Sequence, residues 1–229
     1  MFYLWLCNSQ QTQRPQMNHY PIFAYVSLFS PVLPILVGIY WLRVINREMK
    51  ILVLFLIIAL GIDIISAMFI RDYSVMLSLM HIYILIEFLF VMYIISSWQE
   101  SEKMKMLFRV LLLLYVLFWF CAKFTFEPFN GLYSLTASVS QVILALSAGY
   151  TLFMVIGNRM QPLINQQRFW VFLSFVIYNT GTLTFIALQG ILVHYSISDL
   201  FIAGSINWSL KILFNILFTV GFLCPQTQP

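Results

Sequence analysis

The sequence predicts an all-α membrane protein, a polytopic bundle of seven transmembrane helices, and three observations carry that reading. Apolar residues make up 62% of the 229 positions and charged residues 9%, with a mean hydropathy of +0.91, more apolar surface than a water-soluble domain of this size needs for its core. Seven apolar runs of about 20 residues, the length that spans the hydrocarbon of a bilayer, follow one another between short polar breaks. None alternates apolar and polar residues as barrel strands do, so the spanning elements are helices, which satisfy their own backbone groups in lipid.

The first run, Ile22 to Leu42, contains Pro31 and Pro34. Each removes a backbone donor, and the reading is a kinked helix, or one whose first turn starts late, rather than a half-helix binding site. The second run, Ile51 to Ile70, carries Asp63, and the third, Val75 to Trp98, carries Tyr83 with Glu87 one turn later. The fourth is Leu107 to Phe124. In the fifth, Leu132 to Ile156, the positions Ser134, Ser138, Gln141, Ala145 and Ala148 recur at three- and four-residue spacing, a small, partly polar stripe suited to close helix packing. The sixth, Phe169 to Val193, puts Tyr178, Thr182 and Gln189 on one face with Asn179 beside it. The seventh, Leu200 to Leu223, places Asn207, Lys211 and Asn215 one turn apart on a single polar stripe.

Loop charges set the orientation. Arg43, Arg47 and Lys50 follow the first helix, Lys103, Lys105 and Arg109 the third, and Arg159 and Arg168 the fifth, whereas the alternate loops carry only Arg71 and Lys123. The positive-inside rule then predicts an external N-terminus and a cytoplasmic C-terminus. Trp41, Trp98 and Trp170 fall at the expected cytoplasmic edge and Tyr73, Tyr133 and Tyr195 at the opposite one, in the manner of aromatic belts. The net charge of +4 therefore orients the chain in its first partner, the lipid bilayer, and nucleic acid is not expected as a partner.

One domain is expected, residues 21–224. Residues 1–20 read either as an external tail or, with Met17 as initiator, as sequence ahead of the true start, and 225–229 as a short cytoplasmic tail. With so little chain after Leu223, any output is expected to pass through a partner or across the membrane. Cys121 and Cys224 are expected near opposite faces, too far apart for a disulfide.

The candidate site is built from buried ionisable and polar groups: Glu87, Lys211, Asn207, Asn215, Tyr83, Asp63, Tyr178 and Asn179. A charge on a lipid-facing helix would cost roughly 2.5 to 3.5 kcal/mol, so Lys211 must face protein or water. Counting along the helices at about 1.5 Å per residue sets Glu87 and Lys211 at similar depth with Asp63 shallower, which allows a Glu87–Lys211 ion pair. His81 and His194 are placed toward the outside near Asp63, Asp72 and Asp199, but no paired spacing makes them metal ligands. No phosphate loop, nucleophile elbow or other catalytic motif is present. No cofactor and no metal are expected.

The segments SLFSPVLPILVGI, HIYILIEFLFVMYII, FWVFLSFVIYNTGTLTF and INWSLKILFNILFTVGF, covering most of the chain from Met17 onward, resemble a group of small seven-helix membrane proteins common in Bacteroidota. The resemblance implies a seven-helix fold in a bacterial inner membrane and carries no activity with it.

The function expected first is a sensory or scaffolding module acting through a membrane or cytoplasmic signalling partner, with a small-molecule ligand in the polar pocket. A small-solute or proton-coupled transporter is the alternative, since intramembrane charges mark ion pathways. More remote are a retinal-binding photoreceptor and a membrane-embedded lipid hydrolase built on Asp63 and the outer histidines. The photoreceptor would use Lys211 for the Schiff base and Glu87 as counter-ion, although Asn207 stands where microbial rhodopsins carry an acid.

Overall fold

The computed structural model describes residues 22–69, 72–129, 134–157, 162–192 and 197–224, with side chains described at all of these except 73, 134 and 188–203. The expectations placed on Met17, Arg71, Tyr73, Tyr133, Ser134, Arg159, Gln189, His194, Tyr195, Asp199 and the tail 225–229 lie outside what it describes.

Every extended element among the described residues is helical: α1 (Ile22–Phe29), α2 (Val32–Tyr40), α3 (Arg47–Met68), α4 (Tyr73–Ser97), α5 (Glu102–Thr125), α6 (Ser134–Gly157), α7 (Gln167–Leu192) and α8 (Ile197–Leu223), with one 3-10 turn at Leu163–Asn165. α1 and α2 are two halves of one span, so seven helices are long and apolar enough to cross a membrane. The chain is a multi-pass helical bundle.

Five of the described spans begin two to five residues before their apolar runs do, because polar residues enter the first turns. Asn46 caps α3 by accepting a hydrogen bond from the Met49 N–H at 3.1 Å, and Asp72 caps α4 through the Val75 N–H at 3.3 Å, each satisfying one of the donors that a helix start leaves free. Glu48 and Glu102 lie in the first turns of α3 and α5, where the helix dipole favours a negative charge.

The interruption between α1 and α2 has an identifiable cause. Pro31 offers no N–H to the Ser27 carbonyl four residues before it, and the Ser30 hydroxyl donates to that carbonyl instead, at 2.7 Å. Helical bonding resumes with the Ile35 N–H donating to the Pro31 carbonyl at 3.1 Å. The expected kink is thus a two-residue break at Ser30 and Pro31.

The spans close into a ring. α8 packs along α7 and α7 along α6; α8 also meets α1 and α2, which meet α3; α3 packs on α4, and α4 on α6. α5 stands outside this ring, against α4 and more lightly against α6. Two glycines permit close approaches: a Cβ on Gly181 would run into Leu210 of α8, and one on Gly38 into Val53 of α3. Aromatic rings fill much of the interior, with Phe88 stacked on Tyr115 at 3.8 Å and Phe214 set between Tyr178 and Phe218.

Two sequence expectations are refined here. Trp98, at the C-terminal end of α4, is buried against protein, with its ring edge-on to Phe172 and the Arg168 guanidinium above it. The buried stripe of α6 runs through Thr136, Ser140, Leu144, Ser147 and Thr151 with Ala137, Gln141 and Ala148, a rotation of the small-residue stripe that brings hydroxyls inward. Back-bonding to the helix satisfies Thr151, which donates to the Ser147 carbonyl at 2.9 Å.

Candidate functional site

At the centre of the ring lies a small cavity walled by Ser27 and Leu28 of α1, Asp63 of α3, Tyr83 of α4, Tyr178 of α7, and Asn207, Trp208 and Lys211 of α8. Five of the seven spans contribute. Its volume of about 20 Å³ has room for roughly one water molecule.

Lys211 donates a short hydrogen bond to Asp63 Oδ2 across this cavity. The Glu87–Lys211 pair allowed by depth counting is therefore replaced by Asp63–Lys211. Counting along helices assumes upright axes that end in one plane, whereas the four-carbon lysine stem reaches several ångströms along the membrane normal. With side-chain exposures of 21% for Lys211 and 13% for Asp63, the pair is not sealed.

The polar stripe on α8 divides between two neighbours. Asn207 and Lys211 face the cavity, while Asn215 turns to the break in the first span, donating to Ser30 Oγ at 2.8 Å and to the Lys211 carbonyl at 2.9 Å. The hydroxyl that repairs the proline break is thus held by the residue one turn from the ion pair. Asn179 lies off the cavity and donates to the Phe175 carbonyl of its own helix at 2.6 Å. Glu87 also lies off it, buried, with Gln141 Nε2 of α6 donating to its carboxyl at 3.4 Å.

Among the described residues, several buried acceptors have no hydrogen-bond partner: Oδ1 of Asn207, Asn215 and Asn179 and Oε1 of Gln141. In each of the last three the amide nitrogen is engaged while the oxygen is left over. Unpaired buried acceptors cost free energy, and of these the Asn207 oxygen is the one on a side chain that lines the cavity.

A second charged cluster lies on the other side of α4, and sequence reasoning missed it. Lys123, expected in an external loop, sits in the last turn of α5 with its side chain only 1% exposed. Its ammonium donates to Glu127 Oε2 at 3.3 Å and to Thr136 Oγ1 at 3.5 Å, and lies 2.6 Å from His81 Nδ1. Glu127 in turn accepts from the Leu135 and Thr136 backbone N–H groups at 3.1 and 3.2 Å, in the first turn of α6. Trp119 and Phe129 close over the cluster, Trp119 as a cation–π partner of Lys123 at 5.3 Å. The Lys123–Glu127 spacing of one helical turn was the available signal.

His81 is thereby committed to Lys123 rather than to the aspartates near which it was placed, and among the described residues no three His, Cys, Asp or Glu side chains gather in a way that could hold a metal ion. The cavity is also far smaller than a retinal polyene, so a Schiff base on Lys211 would require the spans to part, and its counter-ion would be Asp63 rather than Glu87. Chemically, the arrangement offers a carboxylate, an ammonium, two phenols, a free amide oxygen and little room. Comparisons with protein-family models, curated proteins and solved structures found no match.

Proposed function

We propose that this chain is a binding module of a bacterial inner membrane, sensory or scaffolding in role, whose ligand site is the Asp63–Lys211 cavity and whose output passes through a partner protein. The observation that carries the reading is the convergence of five spans on one cavity bearing an unsealed ion pair. A change in what occupies that cavity acts on the packing of all five spans at once, and a partner in contact with any of them can read it.

Transport is the second reading, and a specific feature favours it. The break in the first span lies beside the cavity, tied to it through Ser30 and Asn215, and interrupted helices beside midplane ion pairs are how many carriers build their sites. The orientation follows from the loop charges, with the N-terminus outside and the C-terminus in the cytoplasm. Phosphatase and fluorescent-protein fusions at the C-terminus test it: an active phosphatase there reverses the topology.

The binding reading is tested by thermal stability of the purified protein against a panel of small organic and inorganic solutes. The expected result is stabilisation of the wild type by at least one solute, absent from the Asp63→Asn, Lys211→Gln double variant. A panel that stabilises both proteins equally, or neither, reduces the pair to a structural contact.

A further inference from the structure

The polar side chains on the central cavity are unequal in kind. Ser27, Asp63, Tyr83, Tyr178 and Asn207 each carry an oxygen that can accept, and Lys211 carries the charge those acceptors face. Asn207 is buried, and its Oδ1 has no partner among the described residues. Away from the cavity, Asn179 and Asn215 likewise have their amide nitrogens engaged and an oxygen left over, while Gln167 has its amide nitrogen left over. An anionic ligand would deepen this surplus of acceptors, whereas a cation relieves it. An all-oxygen donor set is the kind that hard cations take.

Size and charge narrow the class further. About 20 Å³ accepts a water-sized occupant, which admits a bare monovalent cation and excludes an organic solute in this conformation. Asp63 supplies one negative charge, already neutralised by Lys211. A cation can therefore be added at constant charge if Lys211 gives up its proton. Among the described residues, the remaining titratable groups facing the pair are Tyr83 and, farther along α4, Glu87, together with Tyr178 of α7; α1 presents Ser27 and the break after it Ser30, neither of which titrates.

We propose that the cavity is a monovalent-cation site in which the Lys211 ammonium is the tethered resident, and that an external cation binds in exchange for the lysine proton. One N–H bond of Lys211 breaks and its proton passes to water. The lysine nitrogen keeps the electron pair as a neutral amine, and the cation takes up the Asp63 carboxylate and the free Asn207 oxygen. The site is neutral before and after. This inference rests on the binding reading of the same site and names its ligand.

The test uses the purified full-length protein in detergent at alkaline pH, weakly buffered. Sodium, potassium, lithium or ammonium chloride is titrated in against choline chloride at constant ionic strength, with a pH indicator reporting proton release and thermal stability reporting binding. At least one of the four cations is expected to release about one proton per protein, its half-saturating concentration falling about tenfold per pH unit while Lys211 remains protonated. Asp63→Asn should abolish both signals, and Lys211→Gln should bind the cation without proton release and without pH dependence. Lys211→Arg keeps the ion pair and the fold but cannot deprotonate, so it should lose both signals. Proton release that persists in Lys211→Arg, or its absence from the wild type with all four cations, overturns the proposal. Stabilisation by an organic solute without any cation effect sinks the cation assignment and leaves the binding reading standing; silence from both sets removes both.

Discussion

Among the described residues two lysine–carboxylate pairs lie inside the bundle, one on each side of α4, and they are built to opposite specifications. Around Lys123 and Glu127 the carboxylate takes two backbone N–H groups and the ammonium, the ammonium has Thr136 and His81 as further partners, and aromatic rings exclude solvent. Around Lys211 and Asp63 there is a cavity, an unpaired amide oxygen and a broken helix. A buried pair is stable only when its remaining hydrogen-bonding capacity is met. The first pair meets it and works as a staple joining α4, α5 and α6. The second leaves it unmet, which a staple would not do, and that difference separates a structural cluster from a candidate site built of the same residue types.

The sharpest way to break the comparison is to attack the staple. Glu127→Ala removes the partner of Lys123 and the acceptor of two N–H groups, and is expected to destabilise by roughly 3 to 5 kcal/mol, read from unfolding in mixed micelles. A loss no larger than that of an ordinary surface substitution would show that the cluster is not structural.

At the central pair the loss should be smaller, because the pair is partly open. Lys211→Met or Asp63→Asn is expected to cost about 1 to 3 kcal/mol, the penalty of leaving one polar partner unsatisfied. A double-mutant cycle sharpens this: Asp63 and Lys211 should couple by more than about 0.5 kcal/mol, whereas Glu87 and Lys211, which do not touch, should be additive within about 0.5 kcal/mol. The reverse ordering would restore the Glu87 pairing.

The break in the first span should matter little to stability and more to the site. Pro31→Ala returns an N–H to a carbonyl that Ser30 already satisfies, so the change should stay within about 1 kcal/mol. Its effect should appear instead as altered ligand-induced stabilisation, since Ser30 and Asn215 link the break to the α8 stripe. An unchanged ligand response would separate the break from the cavity.

The smallest effect is expected at Glu87. Gln in its place keeps an acceptor for the Gln141 amide and adds no volume, so Glu87→Gln should fall within about 1 kcal/mol of the wild type, measured by the same unfolding transition. A large loss would place Glu87 in an ionic contact and enlarge the site.

Local properties of the residues determined much of this protein. The length and apolarity of the runs set seven spanning helices, because in lipid nothing but a helix of about 20 residues satisfies its own backbone. The cost of an intramembrane charge singled out Asp63, Glu87 and Lys211, and one-turn spacing put Asn207, Lys211 and Asn215 on one face. Those arguments need only the chain's own periodicity and its solvent.

Partner choice was decided elsewhere. Which carboxylate Lys211 reaches depends on which helices adjoin and how they tilt, and neither is encoded in a single helix, so Asp63 rather than Glu87 is its partner. Lys123 read as a loop residue because a charge at the end of an apolar run belongs in water unless other spans cover it; His81, Thr136, Trp119 and Glu127, drawn from three further segments and its own helix, supply that cover. The two prolines announced a break, but only the packing of α8 against α1 set it beside the ion pair. Helix formation is local and depends on solvent, while pairing among buried charges is a property of the closed ring.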